Sequence, residues 1–171
     1  VTHTSDVTIA GAAMIAMAVA SAVKYGDRER MIEDALSVTE YAMTLGASTP
    51  SPSLSARTRL AVRYAKEYQE DSRMFLEHIY DIIGAGVNTS ESVPAALAIA
   101  YYSFDVKTCA LLCANLGGDT DTIGAMAAAI CGGATGIGRI PASYVDKIRQ
   151  ANGVNLEKYA DALAEKRGKI G

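Results

Sequence analysis

The chain has 171 residues, of which 50% are hydrophobic and 20% charged, so it is long enough for one domain with a core and too apolar to be disordered as a whole. Its net charge of −3 and its pI near 5.4 leave no surplus of positive charge, and Lys and Arg are scattered along the sequence. These totals argue against nucleic-acid binding through a broad basic face.

The three cysteines indicate a reducing compartment. Cys109, Cys113 and Cys131 are odd in number and lack the spacing of a disulfide framework, which is typical of reduced thiols in a cytoplasmic protein. Cys109 and Cys113 lie four residues apart on a predicted helix, and we interpret them as small core residues.

An uncharged stretch at residues 7–23 has to be tested as a membrane span or signal sequence. The stretch is rich in Ala, includes Thr8, Gly11 and Ser21, contains no Leu or Phe, and follows no basic region. Its hydrophobicity is weak for a spanning helix. We therefore expect a core helix of a soluble protein, without membrane contact.

Helical periodicity and capping residues predict an all-α fold, and strand signals are almost absent. In chain order, the predicted helices run from the cap-like segment 4–6 to residue 25, over 28–45, 57–68 and 72–83, from 88–92 onward, and over 105–114, 120–134, 140–150 and 155–166. No internal repeat or clear domain boundary is present.

Glycines, prolines and one aspartate mark the predicted breaks between the first helices. Gly26 ends the first helix, Asp27 can cap the second, and Gly46 stops it. Residues 47–55 carry two prolines and form the clearest loop, while residues 84–86 break the pattern again.

The middle helices differ in expected burial. Residues 57–68 predict a polar surface helix, whereas Phe75, Ile79 and Ile82 share the buried face of the next one. Pro94 is expected in the first turn of the helix that follows, where its missing N–H costs nothing.

The segment 117–122 reads GGDTDT and places two carboxylates and a hydroxyl at the start of a predicted helix. One Asp is ordinary capping of the unpaired N–H groups there, and two exceed that need. Because the helix that follows is built of small and apolar residues, we expect its first turn to be buried. Buried carboxylates must be paired or bind a metal, and no Lys or Arg lies within the segment.

Oxygen ligands of this kind suit Mg²⁺, Ca²⁺ or Mn²⁺, and the absence of nearby His or Cys argues against zinc. An EF-hand is excluded because Ile123 and an apolar helix follow Asp121, where that loop needs further ligands. The alternative is a doubly capped helix start with solvated carboxylates. The spacing alone leaves both interpretations open.

Further sequence blocks surround this segment. They are NLGGDTDTIGA at 115–125, GGATG at 132–136, Ile140-Pro141, THTSD at 2–6, GAG at 84–86 and ESVPAA at 91–96. In their order and over nearly the whole chain, these blocks resemble the ADP-ribosylglycohydrolase family.

The resemblance implies a compact orthogonal bundle of helices that hydrolyses the bond between ADP-ribose and an acceptor with two magnesium ions, with manganese as a possible substitute. It implies that Asp119, Asp121 and Thr122 are metal ligands. The substrate-binding residues that it implies are His3, Gly84, Gly86, Val87, Gly117 and Gly118.

The family's N-terminal half, with its catalytic carboxylate and Thr-Asp-Asp cluster, has no counterpart in residues 1–171. We therefore interpret the chain as the C-terminal part of a single domain that supplies half of the dimetal site. The other half is expected on the same or a separate chain. The catalytic residues are unknown from these residues, and we expect the isolated chain to be inactive.

Two functions stay open. The first is an enzyme that acts on an ADP-ribosylated protein or related substrate, and the second is an inactive relative that binds ADP-ribose or another nucleotide as a regulator. The acceptor, whether arginine, serine, a nucleic-acid end or a small molecule, is not determined. Neither a serine-nucleophile motif nor a dinucleotide-binding fingerprint is present.

Overall fold

The computed structural model describes residues 3–168, so Val1, and Thr2 of the predicted histidine segment, lie outside the described residues. The all-α prediction is confirmed. Two compact units divide the chain, unit 1 in Val1–Ile137 and unit 2 in Gly138–Gly171.

The helices of unit 1 are α1 (Asp6–Tyr25), α2 (Arg28–Ser37), α3 (Thr39–Met43), α4 (Leu54–Glu67), α5 (Ser72–His78), α6 (Thr89–Ser103), α7 (Val106–Leu116) and α8 (Thr120–Thr135). A π-helical turn, Ile79–Ile83, continues α5, and a 3-10 turn covers Ile137–Arg139. Unit 2 contains α9 (Ala142–Asn152) and α10 (Glu157–Gly168). An ion pair between Arg149 and Glu157 joins them.

The predicted ends of the first helices are confirmed. Gly26 adopts a left-handed conformation with φ of 60° after α1, which glycine does without strain. The Asp27 carboxylate accepts the Arg30 N–H and caps α2.

The predicted helix over residues 28–45 is wrong in one respect, because it breaks at Val38 into α2 and α3. The Ser37 hydroxyl donates to the Asp34 carbonyl at 2.7 Å, and the Thr39 hydroxyl donates to the Ala35 carbonyl at 3.4 Å. Side chains that bond back to carbonyls of the preceding turn bend helices.

The α4 helix is not the polar surface helix that we predicted. It begins at Leu54, with the Ser53 hydroxyl as its cap, and packs extensively against α6. Its buried residues, which recur at helical spacing, are Leu54, Thr58, Ala61, Val62 and Ala65.

The π turn after α5 changes which isoleucine is buried. Phe75 and Ile79 are fully buried as predicted, but Ile82 is 47% exposed and Ile83 is buried in its place. The Gly84 N–H bonds to the Ile79 carbonyl five residues earlier, and this wider turn shifts the buried face by one residue.

The α1 helix is long and apolar enough to span a membrane by length and composition alone. It packs against α2, α3, α6 and α8, and Met14 and Ala18 on its inner face are fully buried. A core helix passes the same test of length and composition, and α1 is a core helix of unit 1.

The three cysteines lie in the same core and are free thiols, as predicted. Hydrogen bonding with the Cys113 sulfur, together with burial, raises the pKa of Cys109 to about 12. Hydrogen bonding with Cys109 and burial raise the pKa of Cys131 as well. Cys109 and Cys131, which are buried and protonated, therefore act as small apolar residues.

The α6 helix is enclosed on nearly all sides, since every residue from Ser92 to Tyr101 is buried. The prediction that Pro94 lies in the first turn is wrong, because Pro94 is the sixth residue of α6. Pro94 therefore leaves the Ser90 carbonyl without its helical donor. Arg57 of α4 replaces that donor at 3.1 Å and also donates to the Ile83 carbonyl at 2.9 Å.

We expect Arg57→Ala to lower the free energy of unfolding by about 2–6 kcal/mol, because each buried carbonyl left without a partner costs about 1–3 kcal/mol and Arg57 pairs two of them. Equilibrium urea denaturation measures the change. Arg59→Ala, at an exposed arginine of the same helix, is the matched control and should stay within about 0.5 kcal/mol of the wild type.

A double-mutant cycle tests whether Arg57 compensates for Pro94. In Pro94→Ala the backbone regains an N–H that can donate to the Ser90 carbonyl, so Arg57→Ala should cost about 1 kcal/mol less in that background. An equal cost in both backgrounds would contradict this role of Arg57.

Candidate active site

A groove of about 1070 Å³ lies in unit 1 between the start of α1, the segment 49–52, the start of α6 and the start of α8. It brings together three of the sequence-predicted site residues, His3, Val87 and Thr122. His3 and Thr122 are exposed, and Val87 is 80% exposed. The predicted histidine segment and the predicted metal motif therefore open onto one groove.

The other predicted site residues form two segments beside the groove and are not among its lining residues. We call residues 84–88 the glycine loop and residues 117–122 the acidic turn. Gly84 and Gly86 belong to the glycine loop, and Gly117, Gly118, Asp119 and Asp121 belong to the acidic turn.

The acidic turn joins α7 to α8 through two glycines with positive φ, 85° at Gly117 and 71° at Gly118. Gly118 has no room for a side chain, since a Cβ there would lie 2.1 Å from the Ala85 carbonyl oxygen. The acidic turn thus packs directly on the backbone of the glycine loop.

The expectation that the first turn of α8 is buried is wrong. Asp119 is half-buried, whereas Asp121 and Thr122 are exposed. The small and apolar residues of α8 bury its later turns, at Ile123, Ala127, Ile130 and Cys131. The carboxylates therefore lie at the surface, where their charge is solvated.

The side chain of Asp119 does not act as a helix cap. Its Oδ1 atom accepts the Thr122 hydroxyl at 2.9 Å, and the carboxylate bonds to no backbone N–H at the start of α8. By contrast, Asp27, Asp71 and Asp105 each accept backbone N–H groups of the helix that they begin. The double-capping alternative therefore fails for Asp119.

The two segments meet through a backbone hydrogen bond. The Asp119 N–H donates to the Ala85 carbonyl at 2.7 Å. The glycine loop is held in turn by Glu91, whose Oε2 atom accepts the Gly86 N–H at 2.9 Å. Gly84 and Gly86 thus contribute to the site by positioning the loop.

Asp6 organises the part of the groove near His3. Its buried carboxylate accepts the Val7 N–H at 2.7 Å and the Thr49 N–H at 3.1 Å. Backbone hydrogen bonds from Asp6 to Ala47 and from Ala47 to Thr4 tie the same two segments together. The two prolines of the 47–55 loop do not predict that this loop bonds to the segment before α1.

Sequence reasoning missed Arg57 and Glu91, which both line the groove. Arg57 lies in a stretch that we took for a surface helix, and Glu91 was noted only as part of a matching block. Arg57 is held by carbonyls 26 and 33 residues away, which no local sequence pattern encodes. Glu91 bonds to Gly86 and Asn88 only because the glycine loop folds back over the start of α6.

The acidic turn fits a hard metal ion by its chemistry. Asp119, Asp121 and Thr122 carry carboxylate and hydroxyl oxygens, the donors that Mg²⁺ prefers. Over residues 3–168, no group of three or more His, Cys, Asp or Glu side chains is arranged to hold a metal. The turn would thus supply only part of an octahedral shell.

Comparisons with known proteins agree with the sequence blocks. "Uncharacterized protein YegU" of Escherichia coli (strain K12) is 38% identical over 167 residues, which is 97% of this chain and 50% of that protein. An "uncharacterized protein" of Archaeoglobus fulgidus is 29% identical over 168 residues, which is 96% of this chain and 48% of that protein. The chain spans about half the length of these relatives.

No solved structure gives a significant match to the chain. The family model of the ADP-ribosylglycohydrolases matches residues 1–170. With that match over nearly every residue, the chain belongs to the ADP-ribosylglycohydrolase family.

Proposed function

We propose that the protein carrying this chain hydrolyses the glycosidic bond between ADP-ribose and an acceptor in a magnesium-dependent reaction. In this proposal Asp119, Asp121 and Thr122 supply part of the metal site. The observation that carries it is that two carboxylates and a hydroxyl occupy the first turn of α8, with Thr122 on the same groove as His3. Family membership supports the hydrolase class.

The geometry of the acidic turn supports metal binding more than capping. The Asp119 carboxylate is oriented by the Thr122 hydroxyl, and Asp121 lies exposed two residues further on. Bound Mg²⁺ or Mn²⁺ would supply Lewis-acid activation of substrate and water.

The groove suits a ligand of the size and polarity of ADP-ribose. Its volume of about 1070 Å³ is slightly above the usual range of small-molecule sites, roughly 300–1,000 Å³, and leaves room for a ligand of this size. Val7, Ile15 and Val93 offer apolar surface to a base or sugar, and Arg57 brings a positive charge that complements a diphosphate.

The remaining metal ligands and the catalytic carboxylate are proposed to come from the other part of the family fold, on the same or a separate chain. This follows from two facts, the partial coordination shell of the acidic turn and the twofold greater length of the relatives. The family match over residues 1–170 leaves the acceptor open.

Substitution of one carboxylate tests the ligand assignment. In the full-length protein that carries this chain, we expect Asp121→Asn to lower the rate of ADP-ribose release about 100-fold or more, because even partners of metal ligands cost about 10–100-fold. Release is measured on arginine-linked, serine-linked and small-molecule ADP-ribosyl substrates. Asp161→Asn, at an exposed aspartate of α10, is the matched control and should leave the rate unchanged.

Asp121→Asn at the wild-type rate would contradict the assignment of Asp121. Binding of ADP-ribose without release from any substrate of the panel would instead favour the inactive, regulatory relative.

Metal removal tests the cofactor. We expect chelation with EDTA to abolish release, and added Mg²⁺ or Mn²⁺ to restore it, because the oxygen ligands of the acidic turn favour hard cations. Calorimetric titration of Mg²⁺ should give weaker binding to Asp121→Ala than to the wild type. Equal heats for both proteins, or full activity in EDTA, would refute the proposed metal site.

A further inference from the structure

The Glu91 carboxylate lies against the glycine loop and contacts it at two points. Its Oε2 atom accepts the Gly86 N–H at 2.9 Å, and its Oε1 atom accepts the Asn88 side-chain amide at 3.2 Å. Glu91 is half-buried and belongs to the first turn of α6, so the loop is tied to the start of the most enclosed helix of unit 1.

The space around this carboxylate is full. A Cβ on Gly84 would lie 2.7 Å from the Cδ and Oε2 atoms of Glu91, and a Cβ on Gly86 would lie 2.7 Å from the same oxygen. The two glycines therefore close around the carboxylate. Gly84 also has φ of 91°, which a residue with a side chain rarely adopts.

The peptide between the two glycines faces the acidic turn. The Ala85 carbonyl accepts the Asp119 N–H at 2.7 Å, and Ala85 is only 5% exposed. Two hydrogen bonds, joined by the peptide between Ala85 and Gly86, thus connect Glu91 to Asp119.

Arg57 holds the chain at two points, one just before the glycine loop and one just before Glu91. Its guanidinium donates to the Ile83 carbonyl just before the glycine loop and to the Ser90 carbonyl just before Glu91. Between these two points the loop bends over Glu91. The orientation of the Ala85 carbonyl therefore depends on the Glu91 contact.

We propose that Glu91 is a positioning residue for Asp119. Its carboxylate holds the glycine loop so that the Ala85 carbonyl anchors the backbone of Asp119 and sets the direction of the Asp119 side chain. Glu91 acts through this backbone and not by contact with metal or substrate. Any consequence for metal binding rests on the proposed function, whereas the anchoring of Asp119 does not.

Amide hydrogen exchange of the Asp119 N–H tests the anchoring directly. We call the two hydrogen bonds between the Glu91 carboxylate and the glycine loop the clamp. We expect Glu91→Ala, which removes the clamp, to accelerate this exchange about tenfold, because the Asp119–Ala85 hydrogen bond that protects the amide becomes weaker. Glu91→Gln keeps a carbonyl oxygen for the Gly86 N–H, and a flipped Asn88 amide can accept from its new N–H, so exchange should stay near the wild-type rate.

Two controls distinguish an effect that passes from Glu91 through the glycine loop to Asp119 from a general destabilisation of the fold. Glu33→Ala, at an exposed glutamate of α2, makes the same change elsewhere and should leave Asp119 protected. The Asp6 N–H, which bonds to the Ala47 carbonyl at 3.0 Å, is the reference amide and should keep its rate in every variant. Equal acceleration of Asp6 and Asp119 in Glu91→Ala would overturn the proposal, as would unchanged exchange at Asp119.

A second variant serves if Glu91→Ala does not fold. Glu91→Asp keeps the charge but withdraws the carboxylate from Gly86 by one methylene, so it should also accelerate Asp119 exchange. Wild-type exchange in Glu91→Asp would argue that charge, and not reach, is what matters, and would overturn the clamp.

Titration with Mn²⁺ alone then links the clamp to the site. Affinity should fall in Glu91→Ala and recover in Glu91→Gln. Faster exchange at Asp119 with undiminished Mn²⁺ affinity would limit the clamp to the backbone and overturn its role in setting the side chain. Absence of Mn²⁺ binding in the wild type would refute the proposed metal site, while the exchange rates would still decide the anchoring.

Discussion

Ser90 is buried in the first turn of α6, yet Pro94 deprives its carbonyl of a helical donor, and the Arg57 side chain donates to that carbonyl instead. An unpaired buried carbonyl would cost on the order of 1–3 kcal/mol. The same guanidinium reaches the Ile83 carbonyl, so satisfying α6 also fixes where the glycine loop begins. Arg57 therefore contributes both to the packing of α4 on α6 and to the placement of the candidate site.

Gly86 and Gly118 allow the close backbone contacts that connect the start of α6 to the acidic turn. The Ala85 carbonyl lies so close to Gly118 that a side chain at residue 118 would clash with it. The Glu91 carboxylate also lies close to Gly86, where a side chain would clash as well. Backbone contacts of this kind are short and directional. Two segments about thirty residues apart in sequence are thereby held in a fixed relation by Ala85 and Asp119, two residues that lie outside the helices.

Local signals in the sequence sufficed for the all-α class and for most helix ends, since Gly26, Asp27 and Asp105 act through residues next to them. They failed where contacts with another helix, or a change of helix type, decide which side chains are buried. The buried face of α4 is set by its packing on α6, and the π turn buries Ile83 in place of Ile82. The role of Arg57 follows from the position of Pro94 beyond the first turn of α6. For the candidate site, the spacing of Asp119, Asp121 and Thr122 indicated possible metal ligands, which stays a prediction, and the structure corrected only their expected burial.

That correction changes the argument for a metal. Burial of two carboxylates would have demanded a partner on energetic grounds, whereas exposed carboxylates can exist alone. What favours a ligand now is orientation: Asp119 leaves the backbone N–H groups of α8 unused and is instead held by Thr122 and, through its own N–H, by Ala85. A capping carboxylate would instead accept hydrogen bonds from the N–H groups of the first turn of α8. A carboxylate fixed by its neighbours and left at the surface is prepared to meet a cation together with ligands from beyond this turn, which is the arrangement that the proposed function requires.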